Sequence, residues 1–578
     1  MKLSTLFLLV LVVFSCSKQQ EPGVQYKTIC NPLDLSYRFS PKTNDIMVGN
    51  RTYPGKISRR EAGDATIIRF KDEYWLFASK SGGYWYSADL LEWTFVETNE
   101  IPTEEYAPCA IVLNDTVYFL ASSRKKSTIY KSSDPKSGKW EVARDELNEP
   151  VWDPAFYLDE DGRLYLYWGC SNNEPIYGVE LDRNNNFEFI GERTELFHMN
   201  PGQYGWEVPG DYNTNKETAG WIEGPWVNKV NSNYYLQYAT PGTEYKSYSD
   251  AVYTAKSPLG PYTLQKHNPF CYRPEGFAAA AGHGSTFKDK YGNFWHIGTA
   301  SISQKHIFER RLSLHLVLFD EDGLMHAPTQ FGDYPTIIPN KKVESFDEIF
   351  PGWMLLSYDK PVKTSSTKKG SSPYNLNDED IRTYWAAKSG SNNEWASIDL
   401  GEGCDIYAVQ INFAEDETKI YNRQLNLKHR YIIEASDDEE EWVVLVDKSE
   451  NTDDRSHQYI QFDSKVNFQH LRIKNLEVPG GNFAISGFRV FGSGKGEVPA
   501  VVTNFVVERN ENDRREVKLN WDKVENATGY NIKFGTAQNK LYHTYQVIND
   551  NSLTIRSLNS ELQYFFDIEA FNENGISE

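Results

Sequence analysis

The stretch DATIIRFKDEYWLFAS, residues 64–79, decides the fold. Apolar and polar side chains alternate through its first half, a short polar turn reverses the chain, and a second alternating run returns. Period-two alternation broken by a tight turn is the pattern of a half-buried β-hairpin. Residues 84–87 (YWYS) and 93–95 (WTF) add two more short strands, which completes a four-stranded unit. Working outward, the theme recurs at 107–122, 153–169, 223–240 and 283–299, with turns such as Asp161-Gly162 and the Gly292-Asn293 pair. One such sheet cannot bury both of its faces, whereas five packed radially can. Residues 30–340 are therefore predicted to form a five-bladed β-propeller in an all-β chain.

The rest of the composition narrows the function. The chain has 578 residues, and 81 acidic against 60 basic side chains give a formal net charge of −21, which repels a phosphate backbone and excludes a nucleic-acid partner. Mean hydropathy is −0.60, and no internal apolar run approaches the ~20 residues of a membrane span. The one apolar run, residues 6–14 after Lys2, has the length of a secretion-signal core. It ends at Ser15-Cys16 before a polar stretch, and residues 1–16 resemble a bacterial lipoprotein signal, whose lipobox cysteine is acylated after cleavage; an ordinary cleavable signal is the other reading. The expected location is a bacterial cell envelope, outer-membrane or periplasmic, with the membrane touched only by lipid on Cys16. The remaining Cys30, Cys109, Cys170, Cys271 and Cys404 are an odd set without paired spacing, which predicts neither a disulfide framework nor a zinc site.

Beyond the repeats, residues 333–339 carry two prolines and act as a linker. Residues 353–492 resemble a discoidin (F5/8 type C) domain, through Tyr374 to Asn377, Thr383 to Trp385, Trp395 to Gly401, and Ile433 to Asp437 with Trp442. That family closes with an acidic residue where Gly487 stands here, which weakens the case for the structural calcium the resemblance implies; Asp380 and Thr383 remain as oxygen donors for one. Residues 498–578 resemble a fibronectin type III sandwich, through Trp521, Gly529-Tyr530 and Leu558 followed by Tyr564 in the manner of a tyrosine corner.

In a propeller the starts of the innermost strands converge on the axis, and here they are Asp64, Ala107, Asp153, Glu223 and His283. Three carboxylates gathered in one poorly solvated place repel one another unless they serve a purpose. The motifs Gly63-Asp64-Ala65, Trp152-Asp153-Pro154, Glu223-Gly224-Pro225 and Gly282-His283-Gly284 resemble those of glycoside hydrolase family 43 across all five blades. The resemblance implies Asp64 as general base, Asp153 as the carboxylate that tunes the acid, and Glu223 as general acid. Inverting hydrolysis needs such a pair with its carboxyl groups about 6.5–9.5 Å apart, and a third acid beside Glu223 raises its pKa. His283 has two readings, a structural residue of its turn or an orienter of water around a bound cation. Of Arg310 and Arg311 only one can face inward; Arg311 is the candidate substrate contact. Trp85 is the candidate sugar platform, because Gly82-Gly83 lets its loop approach the axis.

The predicted function is an inverting, exo-acting glycosidase of plant polysaccharide fragments, an α-L-arabinofuranosidase or β-xylosidase. It needs no cofactor and has oligosaccharide or polysaccharide as its partner. The alternative is a non-catalytic carbohydrate-binding surface lipoprotein, against which three unpaired axial acids argue.

Overall fold

The computed structural model describes residues 24–41, 43–48, 51–424 and 426–578; Cys16 and the signal segment lie outside the described residues. No α-helix occurs among the described residues, and so none is long and apolar enough to cross a membrane. Four-stranded antiparallel sheets form from Thr66–Phe70 to Thr94–Glu97, from Cys109–Leu113 to Glu141–Arg144, from Ala155–Leu158 to Glu188–Phe197, and from Gly282–Lys288 to Met325–His326. The remaining blade, Ile222–Val230 to Thr263–Leu264, takes a fifth strand, Cys170–Ser171, from the chain of its neighbour. The five innermost strands touch each other in sequence, and the last returns to the first, which closes the ring. The fold is thus the five-bladed propeller the repeat predicts.

Interdigitated aromatics hold blade on blade. Phe77 and Tyr84 of the first blade meet Phe119 and Trp140 of the second, with ring centroids 5.7–6.2 Å apart in tilted or edge contacts. The ends of the propeller are tied together where Thr28–Ile29 pairs with Thr336–Ile337, and the Asn31 amide donates to Leu314 O (3.0 Å) and Gly332 O (2.7 Å).

One backbone feature repeats with the blades and aims the site. Each innermost strand is entered through a left-handed residue: Asp64 (φ 51°), Ala107 (46°), Asp153 (51°), Gly224 (59°) and His283 (43°). For a non-glycine residue that conformation costs roughly 1–3 kcal/mol and persists only where its surroundings enforce it. In the fourth blade the left-handed position falls on Gly224, one residue after the acid, and a Cβ there would stand 2.4 Å from the His283 ring.

Strands from Met354–Leu355 to Ala484–Ser493 build one eight-stranded sheet, curled around Trp385, Ile398, Val409, Ile433, Leu471 and Phe488. The chain then forms a second sandwich of a three-stranded and a four-stranded sheet packed around Trp521, Tyr530, Ile532 and Leu558. In it the Tyr564 hydroxyl accepts from the Asn559 amide (3.1 Å).

Candidate active site

The left-handed turns bring Asp64, Asp153, Glu223 and His283 to the axis. His283 Nδ1 lies 3.4 Å from Asp64 Oδ1, 3.7 Å from Asp153 Oδ2 and 4.0 Å from Glu223 Oε1. The histidine backbone amide donates to the buried Asp250 (2.7 Å), which also accepts from Gln237 (2.7 Å). Burial opposes charge on the imidazole, yet Asp64, Asp153, Glu223 and Asp250 outweigh it and raise its pKa. His283 is therefore a cationic hub among the acids.

The three carboxylates have distinct surroundings. Asp64 accepts from Ser79 Oγ (2.6 Å) and Arg310 Nη1 (2.6 Å), and its amide donates to Thr299 Oγ1 (2.9 Å). Burial pushes its pKa up, but Arg310 and His283 prevail and hold it below the ordinary value. Asp153 accepts from Ser122 Oγ (3.0 Å). Burial and the neighbouring Glu223 and Asp64 push it up to about 7, against the pull of His283 and Ser122. Glu223 accepts from the Tyr248 hydroxyl and, at 3.3 Å, from the Cys170 thiol. Burial raises both donors well above their usual pKa, so they stay protonated. Acidic oxygens of Asp153 and Glu223 and the Cys170 sulfur lie within 4.8 Å of one another. One end of the site thus keeps an ionised carboxylate clamped by an arginine, and the other keeps a proton near neutrality. That asymmetry divides base from acid chemistry.

Sequence reasoning preferred Arg311 to Arg310 and missed Glu61, Ser79, Ser122, Tyr248 and Cys170 as partners of the acids. Alternation reveals that Arg310 and Arg311 face opposite ways but not which way is inward. The structure turns Arg310 onto Asp64 and Glu61 (3.3 Å) and sends Arg311 to His457 Nε2 (2.8 Å) in the second domain, so Arg311 is no substrate contact. Trp85 is corrected as well. It lies fully buried in the third strand of its blade, with its indole donating to Ser36 Oγ (3.1 Å) and its ring edge-on to Phe95. The indoles left open are Trp152 and Trp221, each 38% exposed, one residue before Asp153 and two before Glu223.

The calcium implied for the second domain does not fit its residues. Thr383 Oγ1 donates to Asp378 Oδ2 (2.5 Å), Asp380 faces Lys246 (3.7 Å), and a Cβ on Gly487 would meet the Phe277 ring at 2.7 Å. Hydroxyl, carboxylate and closing strand are thus committed to the protein itself.

The sequence profile of glycosyl hydrolases family 43 matches residues 56–325, and that of the F5/8 type C domain matches residues 361–488. A beta-D-galactofuranosidase of Aspergillus niger is 26% identical over 295 residues, 44% of this chain and 78% of that protein. A non-reducing end alpha-L-arabinofuranosidase of Bacteroides ovatus is 22% identical over 312 residues, 48% of this chain and 54% of that one. A xylan 1,3-beta-xylosidase of a Vibrio species is 24% identical over 275 residues, 40% of this chain and 46% of its own length. Among solved structures, a family 43 protein of Bacillus licheniformis superposes with a TM-score of 0.41 at 15% identity, covering 94% of this chain and 96% of that one.

Proposed function

We propose that this chain, a glycosidase with a family 43 catalytic domain and an F5/8 type C domain, is an inverting, exo-acting hydrolase of pentose units in plant polysaccharide fragments. The observation that carries the reading is the axial asymmetry: Asp64 held ionised by Arg310, and Asp153 pushed up to about 7 beside Glu223. Asp64 takes a proton from the water that attacks the anomeric carbon. Glu223 gives a proton to the leaving oxygen, and Asp153 keeps the acid end of the site protonated near neutrality. His283 lies between the acids, so Asp64 Oδ1 and Glu223 Oε1 stand no farther apart than its two contacts together reach. That ceiling admits the lower end of the separation of about 6.5–9.5 Å that an inverting pair needs.

Trp152 and Trp221 flank Asp153 and Glu223, where the departing sugar lies, and their open faces suit the C–H side of a pyranose. The names of the relatives, an arabinofuranosidase, a xylosidase and a galactofuranosidase, support a terminal furanose or xylose as the sugar released. The last sandwich has the seven strands and the tyrosine corner of a fibronectin type III module and serves as a spacer and brace. Cys16 anchors the whole by lipid, so Cys16→Ala releases it into the soluble fraction.

The test is proton NMR of the first-formed anomer, after a screen of nitrophenyl α-L-arabinofuranoside, β-D-xyloside and β-D-galactofuranoside. Inverted product from a pentoside supports the reading; retained product, or no turnover of any of the three, overturns it.

A further inference from the structure

Three loops of the propeller converge on the Asp64–Arg310 pair. The loop after Glu73–Phe77 supplies Ser79 to Asp64, and Lys80, whose ammonium lies 4.4 Å over the Tyr106 ring. The loop after Asn233–Thr240 supplies Thr243 Oγ1, 3.3 Å from Arg310 Nη1. The loop after Phe294–Ser301 supplies Phe308, whose ring lies 5.2 Å from the Arg310 guanidinium carbon.

The F5/8 type C domain grips each of these loops from outside. Arg423 forks onto Glu104 (2.9 and 2.8 Å) and donates to Lys80 O, and a Cβ on Gly82 would stand 2.6 Å from its Nε. Arg382 bonds Asp211 (2.9 Å) and Glu244 O (3.1 Å), while its own carbonyl accepts from Gln304. Lys305 donates to Glu415 O. The segment before Asp64 is held in the same way: Arg60 pairs with Glu415 (2.6 Å) and Asp454 (2.8 Å), and the next residue, Glu61, takes Arg310.

A planar guanidinium with two fixed partners restrains a loop far more than a lysine or a single bond does. A displacement of about 1 Å at a reacting group can cost up to about a hundredfold in rate. The geometry points to the F5/8 type C domain as a fixed part of the hydrolase, with Arg382 and Arg423 as positioning residues for the base half of the site. This rests on the hydrolytic reading above. It also accounts for Gly487: the strand Ala484–Ser493 that closes the domain lies against Phe277 of the propeller, with Arg489 over the same ring (4.7 Å).

The experiment compares the full chain with the Arg382→Ala/Arg423→Ala variant on a nitrophenyl pentoside, with Arg423→Lys as the conservative variant. Lys540→Ala, at the other interface, is the control. The double variant should lose about tenfold or more in kcat with KM within about twofold. The acid limb of its kcat profile should move to higher pH as the Asp64–Arg310 pair loosens. Arg423→Lys should recover part of the loss, and Lys540→Ala should move neither kcat nor the pH profile. Hydrogen exchange in residues 78–82, 241–248 and 302–309 should quicken in the double variant only. Unchanged kcat, pH profile and exchange in a folded double variant overturn the inference, as does a loss confined to KM. If the wild type turns over no pentoside, the functional reading falls, while exchange in the three loops still decides this one.

Discussion

The propeller holds its second domain by charge and its third largely by neutral rings. Against the F5/8 type C domain it sets Arg60 on Glu415 and Asp454, Glu104 under Arg423, Asp211 under Arg382, and Arg311 on His457. Against the last sandwich it stacks His267 on His543 (3.9 Å) and His326 on Tyr542 (3.7 Å). Lys540 with Asp320 (2.6 Å) is an ionic contact there, and backbone bonds such as Gly205 N to Leu558 O (3.0 Å) complete it. Buried ion pairs fix orientation, because breaking one strands a charge. Stacked imidazoles hold only while neutral. The first interface reaches the loops around Asp64, whereas the second holds the loop at 200–220 by Gly205 N on Leu558 O and by Lys216 on Asp513 (2.5 Å), with no contact to Asp64 or Glu223 among the described residues.

The largest effects should separate the two halves at the acids themselves. Asp64→Asn should cost at least about 10²–10⁴-fold on every substrate, since no water is activated without the base. Glu223→Gln should cost as much on natural oligosaccharides but spare much of the rate on aryl glycosides with acidic phenols, which leave without a proton. Equal losses on all leaving groups, read from steady-state rates, would refute this division. Asp153→Asn should lower the upper apparent pKa of the kcat profile, because the carboxyl that stands at about 7 is removed.

Next in size is Arg310→Met. It leaves Asp64 and Glu61 buried without their cation, a loss of about 3–5 kcal/mol in a urea titration. In whatever folds, the acid limb of the kcat profile should rise, since Arg310 is the leading influence that holds Asp64 down. An unmoved limb would mean that the clamp is structural only.

The comparison between the interfaces extends to pH. Burial, with Lys540 and the neighbouring imidazoles, holds His326 and His543 at about 4 and pushes His267 well below its ordinary value. Lys540, Asp320, Asp322 and Tyr542 are the other polar groups that face this cluster. A histidine whose folded pKa is depressed contributes stability that is complete above about 6.5 and is lost as pH falls toward 4. The loss amounts to about 3 kcal/mol each for His326 and His543. The melting temperature of the last sandwich in calorimetry should therefore fall between pH 7 and pH 4.5, and His326→Phe should flatten that dependence; an unchanged slope would mean that the stack is not what titrates. Asp454 and Glu415 stay ionised at the other interface because arginine contacts hold them below their ordinary values, but the buried His457 and His429 there are depressed too, so that interface also weakens as pH falls.

The smallest effect is at the mouth. Trp152→Ala or Trp221→Ala should each raise KM for oligosaccharides by about fivefold, roughly 1 kcal/mol, and leave KM for nitrophenyl pentosides within about twofold.

Much of this was written in the order of residues. Alternation with polar turns, repeated five times, determined the blades because a sheet with period-two patterning can bury its faces only against copies of itself. The repeat also set Asp64, Asp153, Glu223 and His283 at equivalent strand starts, and closure of a ring brings such starts together whatever the loops do. Side-chain direction and docking lay outside that logic. Alternation places Arg310 and Arg311 on opposite faces, but only the packed second domain decides that Arg311 belongs to His457 and Arg310 to Asp64. Trp85 read as a mouth residue because a glycine pair precedes it, yet the buried faces of its blade and residues 29–37 close over it. The clamps by Arg382 and Arg423, and Cys170 beside Glu223, join positions 53 to 343 residues apart, a span over which no local pattern speaks. The sequence by itself thus determined which groups meet on the axis. Only the tertiary structure decided which partners each one faces, and with them which acid stays charged and which holds a proton.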